Sequence, residues 1–305
     1  TDGSNRASGG GLFIDDSPNV QVNQNQFYRN YAVQYGGGMA INSIGATLRD
    51  NKIFTNVANY GGGVNLSQDV IFKGNDVFEN LAYFNGGGIA LSEGSDNAIL
   101  QANRIQDNVA KQDGGGIHAH LISNGKLENN AILRNRADGQ GSGMSLAAST
   151  VRMLHTTLSD NSGAGLHLKS EGIPSPIHSR ALLTNTILVS HTVGITATTG
   201  NTATVDSVLW YGNVANVGGG GLVNVTSAIT GNPLFASDGY HLGYGSAALD
   251  LGRVTGLAVD IDGQPRSFGP APDLGADERT TTILYVDVDA TGANTGLSWT
   301  DAYTD

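Results

Sequence analysis

Glycine triplets begin at residues 9, 36, 61, 86 and 114, at intervals of 27, 25, 25 and 28 residues. A second pattern keeps step with them: an apolar residue, Asn three positions on, an apolar residue at five and Asn at eight. It reads Val22/Asn25/Phe27/Asn30, Leu48/Asn51/Ile53/Asn56, Phe72/Asn75/Val77/Asn80, Leu100/Asn103/Ile105/Asn108 and Leu127/Asn130/Ile132/Asn135. Met153/Thr156/Leu158/Asn161 and Leu182/Asn185/Ile187/Ser190 extend it with substitutions, while the glycines degrade through Gly141-Ser-Gly143 and Gly163-Ala-Gly165 to a last run at Gly218 to Gly221. A repeat of this length buries its apolar face only against its neighbours, so the period predicts a solenoid with one coil per repeat.

The coil is expected to be made of strands. Each triplet precedes an alternating segment such as Met39-Ala-Ile41, Val64-Asn-Leu66, Ile89-Ala-Leu91 or Met144-Ser-Leu146, whose first and third side chains share a face. Gly, Asn or Asp breaks every apolar run before a second helical turn can form. Stacked coils bring equivalent residues to the spacing of hydrogen-bonded strands, about 4.8 Å, where an Asn amide can donate and accept along the stack. The Asn positions are therefore expected to form ladders, and the 44 glycines to serve turns closed to residues with a Cβ. The predicted fold is all-β, a right-handed parallel β-helix.

The chain has no cysteine, so burial and hydrogen bonds must hold the coils together. A net charge of −11 argues against nucleic acid and anionic lipid as partners. No run approaches 18 apolar residues, so membrane insertion is not expected. The start, TDGSNRASGGG, lacks the regions of a signal peptide, and an export signal is expected to have been removed or to lie outside this sequence.

These residues resemble the pectate-lyase-like right-handed β-helix superfamily. They are most similar to bacterial surface β-helices, including polymorphic outer-membrane proteins, whose repeats pair GG[AG]I with FxxN; here the elements read GGGM, GGGV, GGGI and FYRN, IFTN, VFEN. The likeness covers roughly residues 9 to 230 and implies a secreted or cell-surface location. Residues 238–278 resemble the closing segment of such proteins: Gly245-Ser246, Asp250, Asp260-Ile-Asp262-Gly263, Arg266 and the run DLGADE from Asp273 to Glu278 match its pattern. The resemblance implies a terminal cap. Residues 285–305, YVDVDATGANTGLSWTDAYTD, resemble the opening of a β-helix. The expected organisation is coils over 1–237, a closing segment over 238–278, a connector over 279–284 and an extended tail over 285–305.

Four groups are candidates for chemistry. Asp107, Arg134 and Asp160 fall on adjacent coils of the ladder wall and could mimic a lyase site, although stacked opposite charges also pair simply to steady a wall. His118 and His120 share one strand face at a spacing that suits a metal, but with Ile117 and Ala119 inward both imidazoles are expected in solvent. Asp260/Asp262 and Asp287/Asp289 precede glycines as calcium ligands often do, beside the alternative of turn chemistry; no other cofactor is expected. Tyr31, Tyr35, Tyr60, Tyr83 and Phe84 precede successive glycine turns, so stacking should gather them into an aromatic strip that contacts carbohydrate or protein, or shields the first coils.

The leading expectation from sequence is a non-enzymatic extracellular structural protein, a fibre or adhesin unit. Copies would join head to tail as Tyr285, Val286, Val288 and Trp299 of one tail add to the open first coil at Leu12 and Ile14 of the next. The alternative is a β-helix that binds or degrades polysaccharide on its exposed wall.

Overall fold

The computed structural model describes residues 8–172, 174–266, 268–280, 286–294 and 299–304. Strands stack in parallel into one sheet of nine, a second of sixteen and a third of four. The nine-stranded sheet starts at Leu12–Asp15 and runs through Met39–Asn42, Val64–Leu66, Ile89–Leu91, Ile117–His120, Met144–Ala147 and Ala164–Lys169. Its register superposes Met39, Val64, Ile89, Ile117, Met144 and Leu166, and these are fully buried. Alternation thus fills one continuous core, as the sequence predicts.

Both Asn columns form ladders. Asn56 Nδ2 donates to Asn80 Oδ1 at 3.0 Å and to Phe27 O at 2.9 Å, while its backbone N–H shares the same Oδ1 at 3.0 Å. Asn51, Asn75 and Asn103 repeat the arrangement at the other corner, and Asn130 ends the row, donating to Leu100 O. A buried amide without such partners would cost about 1–3 kcal/mol, so full pairing is what permits Asn inside the coil.

The residue before each second-ladder Asn takes a left-handed conformation: Arg29, Thr55, Glu79, Asp107, Arg134 and Asp160 have φ between 50° and 57°. Sequence alternation predicts these residues on a strand exterior; they stand at its corner. A non-glycine residue there costs on the order of 1–2 kcal/mol, offset by the ladder bonds that the corner aims. Within the triplets, Gly61 has φ +60°, and a Cβ on Gly62 would lie 2.4 Å from the Leu81 carbonyl carbon of the next coil.

One part of the predicted register slips. Met153 pairs with Leu183 and Leu158 with Leu188, so the last row is Leu183/Thr186/Leu188/His191 rather than Leu182/Asn185/Ile187/Ser190. Leu183 is buried while Leu182 is 41% exposed. A one-residue shift in a strand exchanges its two faces, and His191, not Ser190, takes the ladder position.

The closing segment does not cap the end. It runs back along the outside of the second sheet, where Leu242, Ala248 and Leu274 pack on Ile187, Val189 and Leu209, and Tyr240 on Ala131 and Leu133. Arg266 donates to Asn129 Oδ1 at 2.9 Å, Ala276 N to Thr157 Oγ1 at 2.9 Å, and Arg253 N to Asn185 Oδ1 at 2.8 Å. At the far end of the coils, the inward-facing Val217 and Val225 remain 44% and 37% exposed. At the near end, Leu12–Asp15 pairs with Met39–Asn42 alone among the described residues, and Leu12 and Ile14 are half-buried.

Among its described residues the tail folds back on itself. Val286 bridges Tyr303 in parallel, Asp287 N donates to Tyr303 O at 2.9 Å and Gly292 N to Thr300 O at 2.9 Å, which buries Ala302. Val286, Val288 and Trp299 are exposed; Tyr285 lies outside the described residues.

Candidate functional site

The outer face of the nine-stranded sheet carries a groove. Its floor is one column of the register, Phe13, Ala40, Asn65, Ala90, His118, Ser145 and His167. One rim is the residue before each glycine turn. Backbone bonds from Gly36, Gly61, Gly86 and Gly114 to the carbonyls of Tyr60, Asn85, Asp113 and Gln140 stack these in line after Tyr35. The opposite rim lies two residues beyond the floor: Asp15, Asn42, Ser67, Ser92, His120, Ala147 and Lys169. Two hollows of about 370 and 420 Å³ adjoin along it, sharing Tyr35 and Glu93.

Tyr35 and Tyr60 stack at 5.4 Å between centroids, and Phe84 tilts onto Tyr60 at 5.3 Å. Tyr31 and Tyr83 stand apart: Tyr31 shares a column with Val57, and neither lines the groove. Across from the rings, Asn42 Nδ2 donates to Asp15 Oδ1 at 2.6 Å and Gln68 Nε2 to Asn42 Oδ1 at 3.3 Å. Asn65 on the floor donates to Ser92 Oγ at 2.8 Å. The groove therefore offers ring faces on one side and a bonded row of amides, hydroxyls and carboxylates on the other.

At its far end stand the two histidines of the sequence motif, and here the expectation of a solvated imidazole fails for His118. His120 is partly exposed and meets Glu171 at 3.1 Å, but His118 is only 5% exposed. The cause is Lys169, which reaches over the floor to Asp113 on the other rim at 2.9 Å and lies 3.4 Å from Glu171. His118 Nδ1, Ser145 Oγ and His167 Nδ1 are buried beneath without hydrogen-bond partners among the described residues. Burial, then the Lys169 charge, pushes His118 down to about 4, and burial lowers His167 too. Burial disfavours the Asp113 carboxylate, yet the Gln140 amide and Lys169 hold it below its ordinary range. No third His or acidic ligand converges on both His118 and His120 among the described residues; Glu171 meets His120 alone.

The wall candidates are ordinary pairs. Arg134 grips Asp107 through two bonds of 3.0 Å, and also reaches Gln106 and the Asp238 carbonyl; Asp160 accepts from Ser159 Oγ at 2.7 Å. The wall also carries a ring stack that pattern reading missed, Tyr28, Phe54 and Phe78, at 5.1 and 4.8 Å. The second letters of FYRN, IFTN and VFEN were its signal.

Asp260 makes turns: its two oxygens accept from the backbone of Asp262, Gln264 and Glu278 at 3.0, 2.7 and 3.0 Å. Asp287 likewise accepts from Asp289 N at 3.0 Å. Among the described residues neither aspartate pair joins with a third ligand as one cluster. Asp262 instead joins His241, at 2.8 Å, and Asp277, a grouping unreadable from spacing because these residues come from three turns. His241 bonds Asp238 through its other nitrogen, and the two carboxylates raise its pKa against the opposing effect of burial. A hollow of about 490 Å³ in the closing segment has one charged lining residue, Arg266, whose guanidinium is already bound to Asn129 and two carbonyls.

The family described as "Right handed beta helix region" matches residues 54–208, just over half of the chain. No curated protein and no solved structure matches the chain. Among the described residues no helix is long and apolar enough to cross a membrane.

Proposed function

Since this chain belongs to the right-handed β-helix family, whose stacked coils offer long flat walls, we propose that it is an extracellular polysaccharide-binding protein that holds a neutral glycan chain along the groove. The observation that carries this reading is the Tyr35–Tyr60 stack, facing a row of Asp15, Asn42, Gln68 and Glu93 across a floor of Phe13, Ala40 and Asn65. Rings with one apolar face, opposite convergent polar groups, suit a ligand that is apolar on its ring faces and hydroxylated at its edge. Charge supports the neutral choice. Among the described residues the groove lining holds Asp15, Glu93 and Glu171 but no Lys or Arg, and Lys169 at its end is already engaged by two carboxylates. A polyuronate or sulfated chain would meet repulsion there without a free cation to receive it.

A panel of neutral and acidic polysaccharides, probed with the intact protein and with Tyr35→Ala/Tyr60→Ala, tests this. We expect neutral glycans alone to bind, and the double variant to weaken them at least about tenfold. Binding indifferent to the two tyrosines, or confined to acidic chains, overturns it.

A second reading has its own observation. The interior columns are half-exposed at the far end of the coil stack, at Val217 and Val225. Such edges favour end-to-end stacking of copies into a filament. The tail is a poorer connector than its sequence implies, because Val286 is already bridged to Tyr303. Negative-stain images of monodisperse single particles at high concentration would rule the filament out.

A further inference from the structure

The groove differs at its two ends. Toward the first coil the floor residue Phe13 is 54% exposed, with Asp15 on one rim and Tyr35 on the other. Toward the other end the floor continues in register through Ser145 to His167, but it is no longer reachable. Asp113 belongs to the coil of His118, and Lys169 to that of His167, two coils on. Their ion pair, from opposite rims, therefore lies diagonally over Ser145. This bar explains why three polar side chains on the outer face of a sheet are 5%, 0% and 4% exposed. It is anchored at both ends. Asp113 Oδ1 accepts from Gln140 N at 2.8 Å, and Lys169 is steadied by Glu171, which in turn holds His120.

From Phe13 to His118 the floor spans five coils, or about 19 Å at the strand spacing. At its blind end the groove is lined by His118, whose Nδ1 is sealed beneath the bar, and by the more exposed His120 and Glu171. A trough that ends in a wall is built for something that stops there.

Resting on the proposed glycan-binding role, we infer that the groove recognises the terminus of a neutral glycan chain: the Lys169–Asp113 bar blocks passage of the chain's interior and the terminal sugar sits against His118. Chain segments with sugars on both sides are excluded, because one side would have to pass through the ion pair.

Binding stoichiometry on long chains is the test. The intact protein is titrated with linear neutral hexasaccharides of glucose, mannose and galactose and with monodisperse polymers of the same sugars, and protein bound per chain is measured by sedimentation. End recognition gives one or two proteins per chain whatever the polymer length, and cyclic oligosaccharides of the same sugars bind at least about tenfold more weakly than linear ones. Lys169→Met, which keeps the aliphatic stem but removes the bar, is expected to load polymers in proportion to their length. Asp113→Asn, which keeps an acceptor for Gln140, should do the same if Lys169→Met does not fold. Loading that grows with length in the unaltered protein overturns end recognition while leaving the groove as a glycan site. A variant that folds yet stays at one or two per chain overturns the bar as its cause. Failure of every hexasaccharide and polymer to bind overturns this inference together with the reading on which it rests.

Discussion

Asn161 Nδ2 lies 3.2 Å from His191 Nε2, so the Asn ladder passes through an imidazole before it ends at Asn213. The geometry admits one protonation state. Nε2 accepts from Asn161, and Nδ1–H donates to Asn213 Oδ1 at 3.1 Å.

A proton on Nε2 would face the Asn161 amide donor, and burial already holds His191 down at about 4. A histidine whose folded pKa lies below its unfolded value gives stability that is present above about 6.5 and lost as pH falls toward the folded value. The loss for His191 is on the order of 3 kcal/mol. His118 and His155, held at about 4 and about 3, act in the same direction. Urea unfolding at pH 7 and pH 4.5 should show wild type losing more between the two than His191→Asn. Equal losses would mean that the imidazole is not strained by protonation.

The closing segment has the opposite sign. Burial raises Asp277 to about 6 and Glu278 to about 7, and the Glu278 Oε1 atom has no hydrogen-bond partner among the described residues. A raised folded pKa favours the folded state at low pH, and that contribution is lost as pH rises through roughly 4.5 to 7. Glu278→Gln mimics the protonated acid. It should be more stable than wild type at pH 8, with the difference vanishing near pH 5. A variant less stable at both pH values would show that the Arg266 contact at 3.4 Å outweighs burial.

Two kinds of glycine can be told apart by substitution. Gly62 has no room, since a Cβ there would stand 2.4 Å from the Leu81 backbone, so Gly62→Ala should cost about 3 kcal/mol or more, or prevent folding. Gly263 has φ +84° but nothing within 4 Å, and Gly263→Ala should cost only about 1–2 kcal/mol. Similar melting temperatures for the two variants would contradict the close-packed coil turn.

Arg134→Ala separates wall from groove. The Arg134–Asp107 pair is 39% and 40% exposed, so solvent screening limits its loss to about 1 kcal/mol. Glycan binding should be unchanged within error in a titration against the neutral oligosaccharide that binds wild type. A loss of binding would return the site to the lyase-like wall.

The coil is legible in the sequence because it is periodic: Asn at a fixed offset and alternating apolar pairs state both ladders and core directly. Periodicity fails where repeats lengthen. Leu182 stands in for Leu183 in the pattern because both are leucines and Asn185 imitates a ladder residue, whereas its amide bonds Arg253. The groove is half legible. Tyr35 and Tyr60 share an offset from glycine that places them together, but Lys169 and Asp113 sit 56 residues apart with no motif linking them. Alternation puts His118 correctly on the outer face. What it cannot express is that an outer face can be covered by a long side chain from two coils away.

The position of residues 238–278 bears on how the molecule yields under load. Pulled along its axis, a bare solenoid peels one coil at a time, each step breaking only a single layer of bonds. Here Arg266, Ala276 and Arg253 fasten the segment to Asn129, Thr157, Asn185 and Asp206, on four successive coils. Those coils are splinted: to separate them, several lateral contacts must shear together. An optical-trap trace should therefore show small sawtooth steps from the first coils, followed by one larger rupture.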